Sequence, residues 1–413
     1  MNLYHLVLAC TAAIVYGDPS ERLVVIGVTG TNGKSSTVQF LGKILEGCGA
    51  MVGWTTTASF KIADREWVND QKMTMLGRFQ TQKRLREMVD AGCRYAIVET
   101  SSQGIVQNRH VGIHYDVAVI TNLTPEHIEA HGGFENYKAA KGKLFSTLAA
   151  SPVKILNGKT IKQASIVNVL DEHAAYFMSF QAGEVIPFGR NADKITMSAT
   201  GTTFSIGEVA FTFQPIGKFN FENVLCAITT AQALGFDLTS IAKSVARLAP
   251  VPGRLERIDE GQAFTVIVDY AYEPAAMHAL YTATELIDHK RVIHVVGSAG
   301  GGRDVARRQV LGELAAEHDD IVIVTNEDPY DEDPMQIIND VADAARAAGT
   351  IDGQTLFRIL DREEAIRQAM RLAKEGDLVL LTGKGSEPVM AVADGKKIPW
   401  DDRAAARRAL QML

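Results

Sequence analysis

The chain has 413 residues, 46% hydrophobic and 22% charged, with 42 Lys and Arg against 49 Asp and Glu for a formal charge of −7. At about 100–200 residues per domain this length predicts two or three domains with proper cores, and the ordinary composition excludes collagen-like and disordered chains. Mild acidity argues against a nucleic-acid binder, and cysteines at 10, 48, 93 and 226, with no CxxC pair, point to reduced thiols in the cytoplasm rather than a disulfide framework.

In chain order, Leu3 to Val15 is an apolar run with no Lys or Arg before it and no small-residue cleavage site after it. It is shorter than the roughly 20 residues a membrane helix needs, so a buried lead-in helix is expected and no membrane partner. Leu23 to Val28 reads as a β-branched strand, followed by the loop Gly30-Thr31-Asn32-Gly33-Lys34-Ser35-Ser36 and by Val38, Phe40, Leu41 and Ile44 at helical spacing. Strands at 95–99 and 117–122, each followed by polar loop and helix, extend the βα alternation of a mostly parallel sheet. Short alternating segments over 184–215 predict a small antiparallel patch, followed by helices at 220–234 and 238–248. Pro250-Val251-Pro252-Gly253 is stiff, turn-forming punctuation and sets a boundary between domains over 1–249 and 250–413. Strands at 264–269, 292–296, 321–325 and 378–381 then alternate with helices in a second, Rossmann-like α/β domain.

The 35 glycines include two clusters, around 27–33 and 297–302, both between a strand and a helix. In the first cluster, glycines let backbone N–H groups close on phosphate oxygens, Lys34 reaches the outer phosphates and Ser35 is placed to hold Mg²⁺. The strict GxxxxGK[ST] spacing fails, since Val28 stands five positions before Gly33, and a plain glycine-rich turn is the bland alternative. The second cluster fails the GxGxxG pattern at Ala299.

The loop Gly30 to Ser36 resembles the nucleotide loop of the Mur ligase family, whose members form amide bonds at the expense of ATP. Asn122-Leu123-Thr124-Pro125-Glu126-His127, Glu135-Asn136-Tyr137, Ala140-Lys141, Phe219 to Asn223, Pro252 to Glu256, Asp269-Tyr270-Ala271 and Gly383-Lys384-Gly385 follow in the family's order. The likeness is greatest to the tripeptide-synthetase branch, which adds the third residue of the peptidoglycan stem peptide. It implies a P-loop-type central ATPase domain followed by an amino-acid-binding domain, with ATP and Mg²⁺ as cofactors and an acyl phosphate as intermediate. Small molecules, an acyl acceptor and an amino acid, would be the partners.

By resemblance, Glu99 and His127 bind a second Mg²⁺, and Lys141 is carbamylated to help position it. Taken singly, these residues read as a capping carboxylate, a loop histidine and a solvated lysine. The resemblance further gives Asn220 and Asn223 to adenine, Asp269 to the ribose and Arg254 to the transferring phosphate. Because the last two lie beyond the linker, that linker is a hinge candidate. Thr74, Ser101 and Arg109, with Arg78 as a weaker addition, fall near positions that contact the acyl substrate; Arg303 matches the group that receives the amino acid's carboxylate, and Glu387 the acid that holds its far amine.

Three departures qualify the resemblance. Only 26 residues precede Gly27, where the family carries a UDP-sugar-binding domain, so either the substrate is not a UDP-sugar or something else binds that end. The selectivity segment Asp-Asn-Pro-Arg of diaminopimelate-adding enzymes reads Glu327-Asp328-Pro329-Tyr330, which removes a partner for a distal carboxylate and adds acid, favouring a basic side chain. Tyr272 and Ser386 replace histidines of the family's motifs. The expected activity is therefore an ATP-dependent carboxylate–amine ligase adding a basic third amino acid. A poly-amino-acid or folylpolyglutamate-like γ-glutamyl ligase is the alternative, and a non-catalytic nucleotide-binding scaffold a further one.

Overall fold

The computed structural model describes residues 2–71, 73–125, 131–302 and 305–413, the side chains of Asn2 and Leu3 excepted. Its contacts divide the chain into two compact units, one running to Ala249 and the other from Pro250 onward, with residues 198–200 grouped in the second.

The first unit opens with the helix Asn2–Val15 and is built on an eight-stranded sheet. Its strand order is Glu184–Phe188, Ala164–Asn168, Val117–Ile120, Val24–Thr29, Tyr95–Glu99, Val52–Thr55, Ser59–Ile62, Arg65–Val68. The strands from Glu184–Phe188 through Val52–Thr55 pair in parallel, and the last two turn back antiparallel. Val24–Thr29 is buried along its whole length, as a central parallel strand covered by helices on both faces must be. Helix Lys34–Gly47 buries Val38, Phe40, Leu41, Ile44 and Leu45 and packs against helix Lys218–Ala233.

The expected antiparallel patch over 184–215 is only partly antiparallel. Glu184–Phe188 pairs in parallel with Ala164–Asn168 as the outermost strand of the main sheet, and the antiparallel sheet is confined to Asp193–Ser198, Gly201–Ile206 and Val209–Phe213. Short alternation does not tell a parallel from an antiparallel partner, and Pro187 is tolerated here because one side of an outermost strand needs no donor. The helices expected at 220–234 and 238–248 run instead over Lys218–Ala233 and Leu238–Val245.

The second unit carries a six-stranded sheet in the order Glu256–Ile258, Thr265–Val268, Leu378–Leu381, Val292–Val296, Ile321–Thr325, Leu356–Ile359, parallel except for the first strand. Helix Pro334–Ala347 shows why these sequences make these elements. Asp333 caps it by accepting from Met335 N at 2.9 Å, Pro334 occupies its first turn, and Ile337, Ile338, Val341, Ala342 and Ala345 form its buried stripe. Each unit has its own apolar core, one around Val25, Val98, Ile120 and Phe145, the other around Val266, Val295, Ile323 and Leu381. Among the described residues no helix is long and apolar enough to cross a membrane.

Candidate active-site residues

In the first unit the chain leaves strand Val24–Thr29 through Gly30 and enters helix Lys34–Gly47 at Gly33, whose φ is +78°. A Cβ on Gly33 would lie 2.1 Å from Asn223 Oδ1, and one on Gly30 1.9 Å from Thr121 Oγ1, so neither position admits a side chain. The loop is braced from the neighbouring strand end: Thr31 N donates to Asn122 O at 2.9 Å, Asn32 N to Asn122 Oδ1 at 2.8 Å, and Thr121 Oγ1 to Asn32 O at 2.6 Å. Lys34 folds back to donate to Thr31 O at 2.6 Å, and Gly33 caps the helix without a side chain, leaving the first backbone N–H groups to an anion. Ser36 is buried in the first turn of the same helix.

Glu99, at the end of the adjacent strand, is 1% exposed and accepts from Ser35 Oγ at 2.7 Å and from Thr57 N at 2.8 Å. Thr57 Oγ1 lies 3.1 Å from its other oxygen and 2.9 Å from Thr74 Oγ1. Ser35, Glu99 and Thr57 thus gather hard oxygen donors beside the phosphate loop, the ligand type that suits Mg²⁺. Among the described residues no group of three or more His, Cys, Asp or Glu is placed to hold a metal, and His127 lies outside the described residues. Lys141 is 2% exposed, donates to Gly30 O at 2.6 Å and sits 4.4 Å from the Tyr137 ring centroid. As an ammonium it fastens the loop; a metal-positioning role requires a modified, anionic form.

Ser101 caps helix Ser102–Val106 by accepting from Gly104 N at 3.1 Å. Arg109 donates to Met75 O and Arg78 to Gln107 O, so two loops, those of Thr74 and Arg109, are cross-linked by reciprocal arginines. Asn220 and Asn223 are both buried but do different work: Asn220 Nδ2 donates back to Ile216 O at 2.8 Å, leaving its buried Oδ1 without a partner, while Asn223 Oδ1 accepts from Thr37 Oγ1 at 3.3 Å under the phosphate loop.

In the second unit, Asp269 accepts from Leu255 N and Ala271 N, each at 2.7 Å, and burial raises its pKa against the opposing pull of Arg254. The Arg254 guanidinium lies 4.3 Å from the Tyr270 ring centroid, and Tyr270 donates its hydroxyl to Glu387 Oε1 at 2.9 Å. Lys384, fully buried, reaches Glu387 at 2.5 Å and Asp328 at 3.0 Å. Burial works against its charge, yet the two carboxylates outweigh that and hold its pKa above the ordinary lysine value. Asp328 also accepts from Ala391 N at 2.6 Å. Glu327 is 4% exposed and its Oε2 has no hydrogen-bond partner; burial pushes its pKa up, with Arg307 opposing. The glycine run at 297–302 meets this segment, Gly300 N donating to Asp328 O at 2.8 Å, while Arg303 falls outside the described residues.

Thr57, Tyr137, Lys384 and Arg362 carry contacts that the sequence reading gave no role. Arg362 grips Asp402 at 2.8 and 2.7 Å and reaches the carbonyls of Thr382 at 2.6 Å and Asn326 at 3.3 Å, immediately before Gly383 and Glu327. Lys384 and Tyr137 lie inside motifs legible in the sequence; Thr57 and Arg362 left no such signal.

The Mur ligase middle domain matches residues 28–231, and the Mur ligase glutamate ligase domain residues 253–385. A UDP-N-acetylmuramyl-tripeptide synthetase of Roseiflexus sp. (strain RS-1) is 38% identical over 98% of this chain and 82% of its own length. A UDP-N-acetylmuramoyl-L-alanyl-D-glutamate–2,6-diaminopimelate ligase of Geobacillus thermodenitrificans (strain NG80-2) is also 38% identical, with the same coverage. A solved structure of a ligase of the latter name superposes with TM-score 0.62 at 27% identity, covering 94% of this chain and 78% of that one. Folylpolyglutamate synthase of Mycobacterium tuberculosis, complexed with ADP and AMPPCP, gives TM-score 0.72 over 92% of both chains at 17% identity, a likeness of fold alone.

Proposed function

The chain belongs to the Mur ligase family of ATP-dependent acid–amino-acid ligases, and we propose from that premise that it adds an amino acid with a basic side chain to UDP-N-acetylmuramoyl-L-alanyl-D-glutamate in the cytoplasm. The substrate carboxylate attacks the γ-phosphorus and ADP leaves; the amine nitrogen then attacks the acyl carbon, phosphate leaves, and the amine gives up a proton. Both steps gather negative charge on crowded oxygens, so fixed cations and positioning supply most of the acceleration.

In this reading the loop Gly30 to Ser36 cradles ATP, with Lys34 on its outer phosphates and Arg254 on the phosphoryl group in transfer. Asp269 still has lone pairs free of its two backbone bonds and takes a ribose hydroxyl. Asn223, and Asn220 through its unpartnered Oδ1, serve the adenine side. Ser35 and Glu99 would hold Mg²⁺, joined by His127 and a carbamylated Lys141. The metal, when bound, neutralises phosphate charge as the acyl phosphate forms. Thr74, Ser101 and Arg109 contact the acyl substrate; Arg303 takes the amino acid's carboxylate.

The basic side chain is inferred from charge. Glu327, Asp328 and Glu387 cluster about Lys384, with Arg307 the only other cation beside Glu327 among the described residues that is not, like Arg362, already committed to a carboxylate. A buried carboxylate oxygen without a donor costs free energy that an incoming ammonium removes. Tyr330 stands where diaminopimelate-adding relatives carry the arginine for a distal carboxylate. The test is ADP release by the purified protein with ATP, Mg²⁺ and the UDP-linked dipeptide, comparing lysine and ornithine with diaminopimelate. Preference for diaminopimelate would overturn the basic-side-chain reading.

A further inference from the structure

One side chain touches both Arg254, on the phosphate side, and Glu387, on the amino-acid side. Tyr270 presents its ring to the Arg254 guanidinium at 4.3 Å and its hydroxyl to Glu387 Oε1 at 2.9 Å. The main chain beneath is stapled at the same place, since the two oxygens of Asp269 bind Leu255 N, next to Arg254, and Ala271 N, next to Tyr270. The third loop closes on the pair without room to spare: a Cβ on Gly385 would lie 2.9 Å from Tyr270 Cβ and 2.7 Å from Gly253 O. Glu387 is held from its far side by Lys384 at 2.5 Å, and Lys384 in turn by Asp328 at 3.0 Å. Arg254, Tyr270, Glu387, Lys384 and Asp328 therefore form one continuous line of cation–π, hydrogen-bond and ionic contacts within the second unit.

We propose that Tyr270 is a positioning residue that seats Arg254 with its ring and Glu387 with its hydroxyl, fixing the phosphate-binding arginine and the amine-binding carboxylate in one relation. This rests on the ligase reading, with Arg254 on the phosphoryl group in transfer and Glu387 holding the amino acid's far amine. The two halves of the residue are chemically separable. Among the described residues the hydroxyl bonds Glu387, and burial together with the Glu387 charge pushes its pKa well above the ordinary tyrosine value, so it stays a donor across the working range. The ring acts on Arg254 through its negative face, an attraction that planar guanidinium groups favour.

Tyr270→Phe and Tyr270→Leu test the assignment by steady-state kinetics of ADP release, varying ATP and the amino acid separately, with melting curves to confirm folding. Tyr270→Phe is expected to raise the amino-acid KM about tenfold, the size of one hydrogen bond to a charged group, while leaving the ATP KM and kcat near wild type. Tyr270→Leu is expected to add a fall in kcat of about tenfold as Arg254 loses its seat, a loss that Phe restores. The proposal is overturned if Tyr270→Phe leaves the amino-acid KM unchanged, if it moves both KM values together as a loosened fold would, or if Phe and Leu give the same kcat. Failure of the ligase reading itself is distinguishable, because the wild-type protein would then release no ADP in response to any amino acid.

Discussion

Glu327 concentrates several arguments in one side chain. Its charged form sits where water is excluded and where one oxygen has no donor, so burial raises its pKa in the folded state above the unfolded value. A raised carboxylate contributes stability below its unfolded pKa and loses it as pH rises through the folded one, so at neutral pH the ionised group is a burden on the fold. Glu327→Gln should therefore raise the melting temperature at pH 7.5, and the gain should shrink as the pH is lowered towards about 4, near the ordinary glutamate pKa. The same change should raise the KM for a basic amino acid on the order of 30-fold, since it removes the charge facing the ammonium. A melting temperature lowered at pH 7.5 with an unchanged KM would show Glu327 to be an ordinary packing residue. Lys141 makes the complementary case. If its role is carbamylated, Lys141→Ala should abolish turnover, and short carboxylic acids should restore part of it; rescue by amines instead would point to the ammonium seen against Gly30 O.

Elements were more legible than contacts. The first glycine loop, the positions Val38, Phe40, Leu41 and Ile44 and the β-branched run Val292–Val296, interrupted only by His294, declare a loop, a helix and a strand without any partner in view. Glu184–Phe188 did not declare its sheet, because its proline is acceptable only at an edge, and edges are decided by what pairs alongside. The support of Glu99 by Thr57, 42 residues away, and of Arg362 by Asp402, 40 residues away, likewise exists only once strands and helices are placed. Arg362 and Asp402 are both essentially unexposed, so Arg362→Ala, which strands a buried carboxylate, should cost about 3–5 kcal/mol in denaturant unfolding. The double replacement Arg362→Met with Asp402→Leu should cost less than the single one. If it costs more, the pair stabilises the fold by more than its desolvation penalty.

At the scale of the molecule, two apolar cores lie in two compact units, each with its own sheet. A unit that closes its own core should fold without the other. Expressed separately, residues 1–249 and 250–413 should each give a cooperative thermal transition; a second unit that melts without cooperativity would show that its core depends on the first. The folds of the folylpolyglutamate synthases, shared at low identity, show how widely the two-unit frame is used.

The grip of Arg362 ties helix Asp402–Leu410 to the segments that carry the proposed amino-acid contacts. Helix Asp402–Leu410 begins with the carboxylate that neutralises Arg362, and Arg362 in turn holds the backbone just before Gly383 and Glu327. Removing residues 402–413 would leave Glu327, Asp328 and Glu387 in the sequence and still release the two segments that carry them. Such a shortened protein should behave as an amino-acid-binding mutant, and a purification tag fused there deserves the same scrutiny as a substitution in the pocket.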